Sequence, residues 1–264
     1  VPGVRVDMDS QFGVHTTPKL AIRFDPHKSV ILRISSGMGF RAPVFKELLH
    51  RFENKSANYV IEGNPELEPE RSLSFNVGAE LRPKDWLWFA ANAFRNDVEN
   101  LIFFETLDSG GMGSPQRYGY VNIRSAYTQG VEAKLRIRPV RDLSFEAAYT
   151  LTDAWDQTQD RALEGRARHR GTIDVRYRHR KWGVEGTVRV AIEGERPYYV
   201  DTNGDQVEET LMAEPYATMD VRLGQRLGKH VALFAGVDNI LGAGDARFLP
   251  IQPRTYYGGI TARM

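Results

Sequence analysis

The dominant pattern along the chain is a two-residue alternation of apolar and polar positions. Leu143, Phe145, Ala147, Tyr149 and Leu151 alternate with Ser144, Glu146, Ala148 and Thr150. Val131, Ala133, Leu135 and Ile137 alternate with Glu132, Lys134 and Arg136, and Ile173, Val175 and Tyr177 with Asp174, Arg176 and Arg178. This is the period of a strand with one apolar and one charged face. It predicts twelve strands, over residues 3–9, 18–25, 30–37, 71–82, 86–104, 118–137, 143–153, 167–179, 183–196, 215–227, 231–240 and 253–263.

The connections sort by length. Short ones are Asp25-Pro26-His27-Lys28, Arg82-Pro83-Lys84-Asp85, Pro139-Val140-Arg141-Asp142, His179-Arg180-Lys181-Trp182 and Leu227-Gly228-Lys229-His230, rich in the residues that turns favour. Between them lie long ones at 10–17, 38–70, 105–117, 154–166, 197–214 and 241–252. Short turns at one end and long loops at the other describe an all-β transmembrane antiparallel barrel, with periplasmic turns below and extracellular loops above. A soluble sandwich has no reason to sort its loops this way. No linker interrupts the pattern, so residues 1–264 read as a single barrel segment.

The apolar face then meets lipid. The charged face, with Glu132, Lys134, Glu146, Asp174, Arg176, Arg178, Arg189 and Asp220, lines the lumen, solvated or paired. The strands at 86–104 and 118–137 exceed the roughly 9–11 residues that cross a bilayer and would stand above it. Trp86, Trp88 and Trp182 beside short turns, and Trp155 near a long loop, fit an aromatic girdle. The longest connection, 38–70, reads as a large functional loop.

Composition narrows the function classes. The absence of cysteine excludes a disulfide framework, a thiolate metal site and a cysteine nucleophile. With 35 basic against 34 acidic residues, the net charge of +1 makes no case for a nucleic-acid partner. No run of 18 apolar residues forms a transmembrane helix, and a mean hydropathy of −0.44 is compatible with a barrel, whose strands are polar at every second position. No nucleophile elbow, phosphate-cradling glycine loop or HExxH is present, and nothing in the spacing of His169 and a serine such as Ser125 makes a lipase-like pair, so the chain does not read as an enzyme. It opens inside a strand, Val4, Val6 and Met8 against Arg5, Asp7 and Asp9, without a signal peptide, as a mature, cut or partial product would.

Several strings then take on meaning together. They are Gly39-Phe40-Arg41-Ala42-Pro43, Gly63-Asn64-Pro65-Glu66-Leu67-Glu68-Pro69-Glu70, Asn100-Leu101-Ile102, Tyr120-Val121-Asn122, Gly130-Val131-Glu132, Gly236-Val237-Asp238-Asn239 and Pro253-Arg254-Thr255-Tyr256-Tyr257. In this order, over nearly the whole chain, they resemble the C-terminal half of the barrel of TonB-dependent outer-membrane receptors. That resemblance implies a 22-stranded barrel in the outer membrane of a Gram-negative bacterium, in contact with the lipid bilayer and lipopolysaccharide. It also implies an N-terminal plug and active import of a scarce nutrient of the iron–siderophore, haem or cobalamin class. The missing barrel half and plug would come from the same precursor or a separate chain, and the plug would contact the TonB complex. One departure is the last residue, Met264, where an aromatic is usual in the outer-membrane assembly signal. Two other readings are a self-closed twelve-strand barrel, such as an autotransporter translocator or an outer-membrane phospholipase, and a non-transporting scaffold barrel in an outer-membrane complex.

The substrate-binding candidates are Arg41, His50, Tyr59, Tyr118, Tyr120, Tyr198 and Tyr199. Aromatic rings stack on planar ligands, and arginine pairs with carboxylates or attracts catecholates. Tyr256 and Tyr257, and the arginines Arg117, Arg124, Arg166, Arg168, Arg170, Arg196 and Arg254, stand at the same predicted strand ends. The competing reading of this group is an upper girdle with arginines facing lipopolysaccharide phosphates. His50 lies where some haem receptors of the resembled family carry a haem-ligating histidine; equally, Leu48-Leu49-His50-Arg51 could be a short helix with a solvated imidazole. Asp201, Asn203 and Asp205 have the alternating oxygen donors that suit calcium, although Gly204 and Met212 miss the EF-hand pattern and a polar turn is the plainer reading. No resident cofactor is required; haem or a ferric chelate would be cargo.

Overall fold

The computed structural model describes residues 1–111, 113–201, 208–228, 230–244 and 251–262. In chain order the elements are β1 (Pro2–Asp9), β2 (Gly13–His27), β3 (Val30–Arg41), α1 (Phe45–Leu49), β4 (Arg51–Asn54), β5 (Tyr59–Glu62), β6 (Glu70–Lys84), β7 (Leu87–Asp108) and β8 (Gln116–Val140). They continue with β9 (Leu143–Asp156), β10 (Arg161–Ala162), β11 (His169–His179), β12 (Val184–Glu193), β13 (Arg196–Val200), β14 (Glu209–Ala213), β15 (Tyr216–Leu227), β16 (Val231–Asp238) and β17 (Thr255–Ala262). Twelve of them bond edge to edge into one antiparallel wall in the order β1-β2-β3-β6-β7-β8-β9-β11-β12-β15-β16-β17. These are the twelve predicted strands. The other five lie within the predicted long connections, except that β13 begins at Arg196, the last residue of the strand predicted at 183–196.

Register carries the alternation across the wall. Phe24, Leu32, Ala79, Ala91, Ala133 and Tyr149 form one lateral row, each paired with the next. The row beside it is polar: Arg33, Gly78, Asn92, Glu132 and Thr150. Paired residues share a face, so one side of the sheet is apolar across the middle of the wall. That side stays open: Ile22, Ile34 and Val77 are 54–55% exposed in mid-strand. An apolar face of this extent suits lipid and not water. On β6 the belt runs Leu73, Phe75, Val77, Ala79, Leu81, matching the roughly nine residues a bilayer requires.

The opposite face carries paired charges. Arg136 donates to Glu146 at 3.0 Å, Arg178 to Glu185 at 3.3 Å, and Arg33 to Glu80. Trp88 belongs here, with the Arg136 guanidinium 5.3 Å from its ring, so it is not part of the girdle. Trp86 and Trp182 are exposed at the short-turn end, as a girdle requires, and Trp182 stacks on His179 at 4.4 Å.

Several boundaries differ from the sequence pattern. The connection predicted at 10–17 is a tight turn: Asp9 accepts the N–H groups of Gln11 and Phe12, and Gly13 takes φ +83° to enter β2. Local Asx chemistry therefore breaks the expected sorting of loop lengths there. The connection at 38–70 is not an irregular loop, because β3 continues to Arg41 and α1, β4 and β5 follow. β7 and β8 extend beyond the ends predicted at 104 and 118, and 197–214 contains the separate hairpin β13–β14. Among the described residues β1 and β17 do not pair with each other, so this sheet does not close on itself as a twelve-strand barrel would.

Candidate functional site

The long-loop end is built around the β7–β8 hairpin. On the lipid-facing parity of β7 the belt stops at Ala93, and Arg95 and Asp97 follow. Arg95 binds Asp97 at 2.6 Å and Gln129 at 2.9 Å, and lies 4.6 Å from the Tyr127 ring. A charged, hydrogen-bonded cluster on this parity marks the upper edge of the belt. From Arg95 to Asp108 the strand covers roughly 45 Å of path at about 3.3 Å per residue, so the hairpin rises well above the membrane.

Residues 42–69 are fastened to that hairpin by the motif residues themselves. Arg41, at the end of β3, grips Glu70 with Nε at 2.6 Å and Nη2 at 2.7 Å. Its Nη1 reaches Glu47 of α1 at 2.9 Å, and Glu47 in turn accepts the Val44 N–H at 2.8 Å. Glu70 also accepts the Ile102 N–H of β7 at 2.8 Å. Burial works to raise the Glu70 pKa, but the bonds from Arg41 and Ile102 prevail and hold it below the usual carboxylate value.

Asparagines complete the fastening. Asn64 donates to the Tyr120 carbonyl at 3.0 Å. Asn122 exchanges two bonds with the Glu68 backbone, at 2.8 and 3.0 Å, and donates to the Asn100 carbonyl at 2.7 Å. The β7–β8 ladder skips Asn100, which sits at φ +55°, a conformation asparagine tolerates better than most residues. Gly63 is required by space: an added Cβ would lie 2.7–2.8 Å from the backbone of Leu48, Leu49 and His50.

This docking assembles an aromatic ladder. β5 pairs in parallel with β8, setting Ile61 opposite Tyr118 and Tyr59 opposite Gln116. Phe52 and Tyr59 are 6.1 Å apart, Tyr59 meets Tyr118 edge-on at 6.1 Å, Tyr118 stacks on Phe104 at 5.8 Å, and Phe104 meets Tyr120 edge-on at 5.1 Å. Arg117 and Arg51 flank the ladder, both ion-paired to Glu62, at 2.6 and 3.6 Å. Burial raises the pKa of the Tyr118 phenol, so its ring presents a neutral surface. The arrangement can stack a planar or aromatic ligand between rigid strands.

A second cluster lies where β10 meets β13. The Arg161 guanidinium sits 3.8 Å from the Tyr199 ring and pairs with Glu208, and the Tyr199 hydroxyl donates to the Ala162 carbonyl at 2.9 Å. Gly165 N–H donates to the Pro197 carbonyl at 2.9 Å, and Ser109 to Asp201 at 3.3 Å. Glu105, Asp156 and Glu164 line the same small cleft. Glu105 and Glu164 have raised pKa values, first from burial and then from Glu208; Arg161 opposes the shift. A raised carboxylate pKa means that the docked state holds protons the undocked state releases. Its contribution is complete below the ordinary value of 4.5 and is lost as pH rises through the raised values. Amide protection of Gly165, corrected for intrinsic exchange, is therefore expected to fall as pH rises from 4.5. Glu164→Gln should flatten that dependence; an unchanged slope would remove Glu164 as its cause.

The sequence candidates thus divide. Tyr59, Tyr118 and Tyr120 come together, joined by Phe52 and Phe104, which the sequence did not single out. Arg41 is close by, but its guanidinium is saturated by Glu70 and Glu47, so it holds the loop and does not face a ligand. His50 is exposed at the C-terminus of α1, where its carbonyl accepts the Gly63 N–H at 2.6 Å, and no ring stacks on it among the described residues. Tyr199 belongs to the second cluster, and Tyr198 adjoins it near Gly165. Of the calcium candidates Asp201 bonds Ser109, whereas Asn203 and Asp205 lie outside the described residues. Arg196 is fully buried, its guanidinium 5.2 Å from the Tyr216 ring. Tyr256 points to the lipid side and Tyr257 packs against Gly236. His169 bonds Tyr149 at 2.6 Å, not a serine.

Comparison with known proteins places this architecture. A family model described as TonB dependent receptor-like, beta-barrel matches residues 1–240. The Vitamin B12 transporter BtuB of Vibrio vulnificus is 27% identical over 90% of this chain and 34% of its own length. The iron-regulated outer membrane virulence protein of Vibrio cholerae is 29% identical over 57% of this chain and 24% of its own. Among solved structures, a mutant ferric enterobactin receptor of Pseudomonas aeruginosa in complex with enterobactin covers 99% of this chain and 42% of its own at 23% identity and TM-score 0.79. The siderophore receptor PirA of Acinetobacter baumannii gives 99%, 43%, 17% and 0.78 in the same terms. The chain therefore spans well under half the length of the relatives it matches.

Proposed function

Because the chain belongs to the TonB-dependent receptor-like β-barrel family, and so to the outer membrane of a Gram-negative bacterium, we propose that it forms part of the wall and ligand-capturing surface of a receptor that imports a scarce nutrient. The rest of the barrel and a plug complete it, and the plug couples transport to TonB. The observation that carries this reading is the aromatic ladder from Phe52 to Tyr120, raised above the lipid belt and held rigid by Arg41, Glu70 and the loop asparagines. A metal chelate of the siderophore, haem or cobalamin class offers the flat or aromatic surfaces such a ladder engages. Matched proteins are named as a vitamin B12 transporter, a ferric enterobactin receptor and a copper transporter, which keeps the class broad. If the cargo is haem, the exposed His50 imidazole is the candidate ligand for its iron. Calcium at Asp201 would be an accessory to the loop and not to transport.

The test uses the complete receptor in outer-membrane vesicles, titrated with a ferric catecholate, haem and cobalamin. The ligand that binds is expected to lose about tenfold in affinity with Tyr118→Ala, the loss of one aromatic stack and its burial. Its uptake by cells should require TonB. Binding of all three ligands unchanged by Tyr118→Ala would reject the ladder as the capture surface. Binding without TonB-dependent uptake would favour the scaffold barrel.

A further inference from the structure

The face opposite the lipid distributes its charge unevenly. At mid-wall acids and bases interleave: Arg33 pairs with Glu80, and Asp174 lies 3.9 Å from both Arg176 and Arg189. Toward the short turns the balance fails. An open groove of about 530 Å³ is lined there by Arg138, Arg141, Arg176, Arg178, Arg180 and Arg222, against only Asp142, Glu146 and Glu185. All three acids are already engaged, Asp142 by Arg180 at 3.6 Å, Glu185 by Arg178 at 3.3 Å, and Glu146 by Arg136 at 3.0 Å. Arg138, Arg141 and Arg222 form no ion pair among the described residues: Arg138 meets Glu146 only through a longer-range field, and Arg222 lies 4.7 Å from the Phe234 ring.

Three kinds of anion could meet this groove. Lipid headgroups do not reach it, because Arg176, Arg178 and Arg222 share the lumen parity with Glu146 and Asp220. A free small ion is poorly held: the Arg176, Arg178 and Arg180 side chains are 61, 63 and 73% exposed, and water and salt screen single contacts at such sites. A protein surface bearing several carboxylates satisfies the whole set at once and fixes its own register by doing so. We infer that this groove seats an acidic surface of the part of the receptor that occupies the lumen. The inference rests on the proposal that the lumen is filled.

The chain contains no cysteine, so single cysteines report without background from it. In the assembled receptor, Thr187→Cys reports on the groove, Asn92→Cys on the mid-lumen and Lys55→Cys on an exposed loop. Labelling by a membrane-impermeant maleimide is expected to be about tenfold slower at the first two than at the third, because a seated surface excludes the reagent. Reversing Arg138, Arg176 and Arg222 to glutamate, or adding about 0.5 M salt, should speed labelling of Thr187→Cys about fivefold and leave Asn92→Cys protected. Lysine at the same three positions should restore protection. A protected Thr187→Cys indifferent to reversal and salt would overturn the acidic seat while leaving a filled lumen intact. Fast labelling at both Thr187→Cys and Asn92→Cys in the unreversed receptor would overturn the filled lumen, and this inference with it.

Discussion

Glu70→Ala is expected to release residues 42–69 from the wall while the barrel stays assembled. Glu70 receives the Arg41 Nε and Nη2 and the Ile102 N–H, so its removal strips three bonds, leaves the Ile102 N–H unmatched and leaves Arg41 paired with Glu47 alone. The Arg41 side chain is 42% exposed and recovers some water, whereas that of Glu70 is only 15% exposed. The cost falls near the lower end of the range for an unsatisfied charged partner, about 2 kcal/mol. At that size the open fraction of the segment rises on the order of tenfold or more. Trypsin is the readout, since Lys46, Arg51 and Lys55 are exposed in the released segment. Cleavage should rise about tenfold and ligand binding fall in parallel, because the ladder loses Tyr59 and Phe52. The barrel's heat-dependent mobility shift on a gel should be unchanged. Glu70→Gln, which keeps the Ile102 bond but loses the charge, should fall between. Wild-type resistance to trypsin in Glu70→Ala would show that the asparagine contacts hold the segment by themselves.

Gly130→Val acts on the wall itself. A Cβ at this position would lie 2.0 Å from the Leu151 carbonyl oxygen, 3.1 Å from its carbon and 3.0 Å from the Phe94 ring. The first two are main-chain atoms of the neighbouring strand and cannot rotate aside. Relief requires β8 and β9 to separate or slip, and a slip of one residue turns every lipid-facing side chain into the lumen. Overpacking that side chains can absorb costs about 1–3 kcal/mol, and an overlap with backbone costs more. Gly130→Val is therefore expected to lower the folded receptor in the outer membrane more than about tenfold, with Gly130→Ala intermediate. Gly111→Ala, where nothing lies within 4 Å of the new Cβ, is the matched control. Normal accumulation of Gly130→Val would mean that the strands part more easily here than their pairing implies.

The wall was legible in the sequence because its signal is local and repeated. Each strand alternates, each short turn uses residues with turn chemistry, and lipid on one side forbids exceptions in mid-strand. The loops were less legible because their order comes from long-range bonds that no period announces. Glu70 and Asn122 lie far from Arg41 and Glu68 in sequence, and only the fold shows that they meet. Arg41 drew attention as a motif arginine that could bind an anionic ligand, yet its partners make it a fastener. Phe52 and Phe104 gave no signal beyond being aromatic; the β7–β8 hairpin sets Phe104 opposite Tyr120, and the parallel pairing of β5 with β8 brings Phe52 in through the β4–β5 hairpin. Trp88 stood beside a short turn like Trp86, but parity placed it against Arg136 in the lumen.

Within the wall, every strand bonds only to wall strands adjacent to it in sequence order, and the short strands β5 and β10 add side ladders to β8 and β9. The wall is thus a linear chain of hairpins, and none of its wall-to-wall ladders depends on covalent continuity across a long connection. A cut in such a connection removes a tether and leaves those ladders whole, so two pieces divided there keep complementary edges and can rejoin by ordinary strand addition. In evolutionary terms, the architecture allows a receptor gene to be split or recombined at its loops, with the capture surface exchanged independently of the wall beneath it.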